Sequence, residues 1–417
     1  MSEKNQSKKC DHDVVIWGAT GFVGRLIAEY MAKTQPSVRW ALAARSRAKL
    51  ESLRADIARD FPAIEKIPLL EANADDPASL DALASKTRVI ATTVGPYGMY
   101  GKNLVGACVR HGTHYCDLTG EVPFVRWAID EHHEAAKASG ARIVPMCGFD
   151  SIPSDLGVFF LAEEAKRRGK KLADVRGFVM DAKGGMSGGT VASILLLSDL
   201  IMKDRSIAKL MADPYALSPD PSRESGLDEP DRFSPRFDST LDGWGAPWLM
   251  AGVNSRVVRR SNALFGHAYG RHFRYTEELF MPGGRLGFVP GIVISGAMVA
   301  GFSSLAIPAV KKWIAAKMPP GAGPSKEERE RGRFTLRFLG RFEGDASPTV
   351  CVRVTGRGDP GYLATSRMFA ESALSLACDP VQPGFEGGVL TPATAMGMNL
   401  VERLRRAEMT FEVESIR

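Results

Sequence analysis

The sequence predicts an α/β protein: a doubly wound parallel sheet of the Rossmann type that binds a nucleotide, joined to a second, mixed α/β substrate domain. Three observations predict it. From Asp13 to about Gly148 short apolar runs alternate with helical stretches, the rhythm of βαβ units. The first run leads into VVIWGATGFVG (Val14–Gly24), with glycines at 18, 21 and 24 ahead of an amphipathic stretch. The chain has 417 residues, too many for one ordinary core, so two or three domains are expected.

The strands expected in the first domain are Val14–Trp17, Val38–Ala44, Lys66–Glu71, Val89–Val94, His114–Leu118 and Arg142–Cys147. The helices between them are Phe22–Lys33, Ala48–Phe61, Pro77–Lys86, Lys102–Gly112 and Val122–Ser139. Beyond Gly148 the rhythm changes. Pro, Ser and Asp thicken over Asp213–Gly245, which reads as a long irregular loop, and Pro319–Arg333 reads as a second hinge-like stretch. Phe334–Glu343 and Thr349–Gly356 alternate like half-exposed strands, whereas Tyr362–Ala377 and Pro392–Arg406 are helical in pattern.

Composition narrows the function classes. Apolar residues at 44% and charged residues at 24% fit a globular chain, and a net charge of +6 without a concentrated basic face argues against nucleic acid. Six cysteines show no CxxC and no ligand spacing, so no metal is expected and a reducing, cytoplasmic compartment is the simplest reading. The polar opening MSEKNQSKKCDH lacks the pattern of a signal peptide.

The glycine loop points to a dinucleotide. Gly18 permits the tight turn off the strand, Gly21 lets backbone N–H groups reach a pyrophosphate, and Gly24 lets the helix pack close. Thr20, Phe22 and Val23 fall within the same loop and are counted as cofactor-binding positions. At the end of the second strand, ALAARSRAKL places Arg45, Ser46 and Arg47 where an NAD-type site would carry an acid. A guanidinium there suits a 2′-phosphate, which makes NADP(H) the expected cofactor. Two solvated arginines opening a helix are the plainer alternative.

Further motifs, TTVGPYGMYG (Thr92–Gly101), GTHYCDLTGE (Gly112–Glu121), CGFDSIPSDLG (Cys147–Gly157), KGGMSGGTVAS (Lys183–Ser193) and GGVLTPATAMG (Gly387–Gly397), extend the pattern along nearly the whole chain. With GATGFVG, they resemble the saccharopine dehydrogenase-like oxidoreductases, and within that group the trans-acting enoyl reductases of bacterial polyketide-lipid synthesis. The resemblance implies an NADP-binding Rossmann domain (11–150) and a substrate domain (151–380) containing an apolar segment at 286–310. It also implies a C-terminal part (381–417) whose helix returns to the first domain. Members of the group differ: some make saccharopine by reducing an imine, one branch reduces a carbon–carbon double bond, and others associate with lipid.

Candidate chemistry follows from the strand ends, where ligands of open α/β sheets bind. Gly95 and Pro96 would let the backbone pass close to the cofactor. Reduction of an activated C=C needs one proton source beside the cofactor, and Tyr97, Asp150 and Lys183 are the candidates. Tyr97 could equally be a tyrosine bonded to backbone, and Asp150, Ser151 and Asp155 could equally cap a helix beginning near Pro153. The four glycines of Lys183–Thr190 could form an anion-binding nest or a tight turn.

Arg256, Arg259, Arg260, Arg271, His272 and Arg274 could offer a positive surface to the phosphopantetheine or acidic carrier protein of a carrier-bound substrate, or be a solvated strand-and-turn face. Leu286–Val310 carries no charge. Pro290 and Pro308 bracket it, so a helix over Gly291–Ile307, about 26 Å long and short of a hydrocarbon core of ~30 Å, is expected to touch a membrane surface, a lipid or a partner subunit, with a wholly buried core helix as the plainer alternative. The expected function is thus an NADPH-dependent reductase of a lipid-like or acyl-thioester substrate, with a homodimer and peripheral lipid contact as further expectations. The alternatives are a saccharopine-type amino-acid dehydrogenase and a non-catalytic, lipid-associated nucleotide-binding protein.

Overall fold

A computed structural model describes residues 10–184, 188–317 and 323–415. Strand β1 (His12–Trp17) is buried along its apolar end. It pairs parallel with β2 (Trp40–Ala44) on one side and, on the other, with β4 (Thr87–Thr92). Strands β3 (Leu69–Glu71), β5 (His114–Cys116) and β6 (Arg142–Val144) complete the predicted set in the order 3-2-1-4-5-6. The connecting helices are α1 (Phe22–Thr34), α2 (Arg47–Ala58), α3 (Pro77–Ser85), the single turn α4 (Tyr97–Tyr100), α5 (Lys102–His111) and α6 (Val122–Ser139).

Strands β2, β3, β5 and β6 are shorter than expected, and for β3 and β5 the reason is local. Pro62–Lys66 forms a 3-10 turn, so β3 starts only at Leu69. At β5 the Asp117 carboxylate accepts from Thr119 N (2.9 Å) and Met146 N (3.0 Å), turning the chain after Cys116.

The second half opens with α7 (Ile152–Arg167) and β7 (Leu172–Lys183), then α8 (Gly188–Lys203) and α9 (Arg205–Ala212). After a largely irregular stretch come β8 (Arg236–Asp238), β9 (Gly243–Pro247), α10 (Ala251–Leu264) and β10 (Arg274–Met281). Helices α11 (Phe288–Ser304), α12 (Pro308–Lys317) and α13 (Lys326–Arg331) precede β11 (Arg333–Phe342) and β12 (Val350–Arg357). The chain then runs through α14 (Thr365–Cys378), β13 (Gly388–Val389), α15 (Pro392–Ala395), α16 (Gly397–Arg406) and β14 (Met409–Glu414). The second sheet has the order β14-β12-β11-β7-β10-β9-β8 and is antiparallel except where β10 meets β7. It is therefore mixed, as expected.

Late segments also complete the first sheet. β13 adds a seventh parallel strand beside β6. The buried helix α14 lies against α1, β4 and β5. Side chains of the first sheet and of α1 reach over to it: Arg88 and Arg142 donate to the Ala377 and Leu376 carbonyls, and the Tyr30 hydroxyl of α1 donates to Glu371 Oε1 at 2.7 Å. The two arginine links satisfy carbonyls in the last turn of α14, which otherwise lack intrahelical partners.

The apolar segment is two helices instead of one. Pro290 sits inside the first turn of α11, where a missing N–H costs nothing, and Pro308 opens α12. The two helices meet at a bend of 107°. No single helix among the described residues is long and apolar enough to cross a membrane.

Candidate active site

The cofactor loop has the geometry that its glycines predict. Gly18 adopts φ +91°, and a Cβ there would lie 2.6 Å from Thr93 Oγ1. A Cβ on Gly24 would lie 2.2 Å from the Gly18 carbonyl oxygen, so only glycine lets α1 start this close to the turn. Gly21 is the exposed N-cap of α1, and no side chain caps that end. Gly21 N–H itself bonds the Gly18 carbonyl (2.9 Å), but the N–H groups of the first turn of α1 and the positive end of the helix are open to a pyrophosphate, and the residues present fit the expected dinucleotide. Thr20 is exposed beside it, and Phe22 and Val23 turn into the cavity described below.

At the end of β2 the three candidates separate. Arg45 is exposed and has no ion-pair partner among the described residues. Ser46 caps α2 by accepting from Lys49 N. Arg47 is already held by Glu51 (3.0 Å) and the Leu69 carbonyl (2.8 Å). Arg45 is the one of the two arginines whose guanidinium is uncommitted.

A cavity of about 930 Å³ begins at this loop and runs beneath the second sheet. Gly95, Tyr97, Asp150 and Glu121 line its inner end; Ile194, Leu197 and Ile201 of α8 and Met298 and Phe302 of α11 line its far walls. Its floor is polar and its walls are apolar.

The proton-source candidates fare differently. The buried Tyr97 hydroxyl donates to the Thr92 carbonyl (3.3 Å) and accepts from Leu118 N (3.2 Å), so it ties the ends of two strands together. Burial and the nearby Asp117 push its pKa well up. Asp117 itself is pushed up to about 7 by burial, against the opposing hydrogen bond from the Tyr115 hydroxyl. Asp150 is half-buried and lines the cavity, and no hydrogen bond holds its carboxyl among the described residues. Burial, with Glu277 close by, raises it to about 6. Lys183 lies at the exposed end of β7, outside this cavity, in a separate recess with Gly184 and Asp359. Gly185, Met186 and Ser187, the centre of the expected nest, lie outside the described residues.

The helix-capping reading of CGFDSIPSDLG gives way to a polar network. Ser151 stands at the N-cap of α7 but makes no side-chain cap. Its hydroxyl donates to Asn254 Oδ1 (3.0 Å) instead; Asn254 Nδ2 donates to Glu277 Oε1 (2.8 Å), and the Tyr275 hydroxyl donates to Glu277 Oε2 (2.6 Å). Asp155 accepts from Ala393 N (2.7 Å) and so serves α15, not its own helix.

Sequence reasoning did not single out Asn254, Glu277 or Ser193 as parts of the site. The available signal was a pair of acids, Glu277 and Glu278, within the apolar strand β10. Glu121, which ends the GTHYCDLTGE motif, accepts from Tyr97 N (3.0 Å), Gly98 N (2.8 Å) and the Ser193 hydroxyl of α8 (2.8 Å). It thus shapes the loop after β4 and holds α8 over the cavity. Replacing Glu121 by Gln would turn an amide N–H toward a backbone N–H. We expect kcat/KM to fall roughly three- to tenfold, measured by steady-state kinetics, with folding preserved.

The arginine-rich stretch is also corrected. Arg256, Arg259 and Arg260 lie on a helix, α10, and are buried. Arg256 pairs with Asp231 and Arg259 with Asp228, while Arg260 donates to the Leu217 and Val389 carbonyls. They stitch irregular segments to the core and present no surface to a carrier; Arg271, His272 and Arg274 alone of that group are exposed. Among the described residues no cluster of three or more His, Cys, Asp or Glu side chains could hold a metal ion.

Comparison with known proteins agrees with this geometry. Residues 14–144 match the saccharopine dehydrogenase NADP binding domain. A Mycobacterium tuberculosis protein, provisionally named a trans-acting enoyl reductase, is 42% identical over 96% of this chain and 97% of its own. The trans-acting enoyl reductase of Mycobacterium leprae is 37% identical over 96% and 97%. Among solved structures, saccharopine dehydrogenase (L-Glu forming) from Saccharomyces cerevisiae shares the fold, with a TM-score of 0.52 and 12% identity, over 96% of this chain and 99% of its own. The chain is an NADP-dependent oxidoreductase, and it belongs to the saccharopine dehydrogenase-like family, in the group that holds the mycobacterial trans-acting enoyl reductases.

Proposed function

We propose that the enzyme reduces the activated C=C bond of a lipid-like enoyl thioester, with Asp150 as the proton donor. The observation that carries this reading is the charge of the cavity. Its lining includes the carboxylates of Asp150, Glu229, Asp231, Glu277 and Glu278. Its two lining arginines are already engaged, Arg232 with Glu229 and Arg259 with Asp228. An amino-dicarboxylate would find no uncommitted cation among these described residues, which speaks against a saccharopine-type substrate. A neutral acyl chain meets the apolar walls of α8 and α11 instead.

Bound NADPH supplies the hydride for the β-carbon of the double bond. The chain's own residues do the rest. The glycine loop and Arg45 would hold the dinucleotide, and Glu121 with Tyr97 fixes the backbone that follows β4. The apolar walls exclude water from the reacting carbons. Addition at the β-carbon moves the π electrons onto the thioester oxygen; the α-carbon then takes the proton of the neutral Asp150 carboxyl, which solvent restores.

The test is loss of NADPH absorbance on offering an α,β-unsaturated acyl thioester, beside glutamate with an aldehyde acceptor. We expect turnover with the thioester alone and, for Tyr97→Phe, a loss of less than about tenfold, because that hydroxyl serves the backbone. Turnover on the amino-acid pair would sink the reading. Tight NADPH binding with no turnover on either would support a binding protein instead.

A further inference from the structure

We propose that α11 and α12 dock the enzyme on an anionic bilayer surface, and that the cavity draws its acyl substrate from that surface past Phe302. The docking stands on its own observations; the entry route rests on the acyl substrate proposed above.

Helix α11 touches the body of the protein along a narrow stripe, and only Gly291 and Ser295 are buried in it. Val289 (62%), Val293 (64%) and, on α12, Trp313 (63%) are largely exposed, and Ile292, Val299 and Ile307 join them. A continuous apolar face of this kind marks an interaction site. The opposite side of the same helix lines the cavity through Met298, and Phe302 both lines the cavity and is 44% exposed, which puts it at the mouth.

The occupant is indicated by charge. From Gly284 to Lys317 the sequence holds Arg285, Lys311, Lys312 and Lys317 and no carboxylate. Lys311 is tied to Asp199, while Lys312 and Lys317 are exposed beside Trp313. Apolar residues flanked by lysines and an interfacial tryptophan suit a surface of anionic head groups. A second copy of the chain on a twofold axis would set this cationic patch against itself. The 107° bend and the length of α11, about 26 Å, suit a helix lying in the interface instead of spanning it.

The experiment is vesicle co-sedimentation of the full chain, using phosphatidylglycerol-containing and pure phosphatidylcholine vesicles, with the variant Val289→Glu/Val293→Glu. Neither valine lines the cavity, so NADPH binding and turnover of a short, soluble enoyl thioester serve as controls for folding and chemistry. We expect the native chain to sediment with the anionic vesicles and the variant to bind roughly tenfold more weakly. Turnover of a vesicle-borne enoyl lipid should fall in step, with short-substrate turnover unchanged. Equal binding of native chain and variant, or no binding to either vesicle, would overturn the docking. A native dimer that the double variant splits, without vesicle binding, would identify the face as a self-association surface and overturn it as well. Native binding with no turnover on any thioester would leave the docking standing and remove the reaction.

Discussion

Asp150→Asn is expected to lower kcat for enoyl reduction by roughly 10²–10³-fold while leaving NADPH affinity unchanged. Asparagine matches the carboxyl in shape and fits the same pocket between β6 and α7, but it has no acidic proton to give. The pH profile provides the sharper reading. Burial, and then Glu277, hold the Asp150 pKa at about 6 in the folded enzyme. The donating form is the protonated one, so kcat/KM should be level below about pH 6 and fall as pH rises through it. In Asp150→Asn that descending limb should vanish. A variant that keeps most of its rate, or keeps the limb, would assign the proton to another group.

Arg45→Ala is expected to weaken NADPH binding by about 10–100-fold, with NADH binding almost unmoved. The expectation follows from the difference between neighbours. Arg47 already spends its donors on Glu51 and Leu69, whereas Arg45, at the position where the sequence leads us to expect a 2′-phosphate, has no ion-pair partner among the described residues. Fluorescence titration with both cofactors checks it. Equal losses for NADPH and NADH would mean that Arg45 supports the fold of the loop instead of reading the phosphate.

The first six strands and the cofactor turn were legible in the sequence because their signals are local. An apolar run, three glycines and an amphipathic helix suffice to place Gly18, Gly21 and Gly24. The polar network was not legible in the same way. Ser151, Asn254 and Glu277 come from three distant segments, and each taken alone looks like a cap, a helix polar residue or a strand-edge acid. The arginines of α10 misled for a related reason: composition shows charge but not the carbonyl oxygens of Leu217 and Val389 that receive it. Likewise β13 is two residues long, too short for any periodicity to announce it.

That short strand, with α14, carries a consequence for the order of events at the ribosome. The first sheet gains its seventh strand and one of its covering helices from residues synthesised long after β6, with most of the second sheet in between. Until then the flank of β6 and the face that α14 will cover remain open in the nascent chain, however early β1 to β5 come together. The cofactor half is therefore begun before the second sheet is made and finished only after most of it, and a chaperone would meet it during that interval.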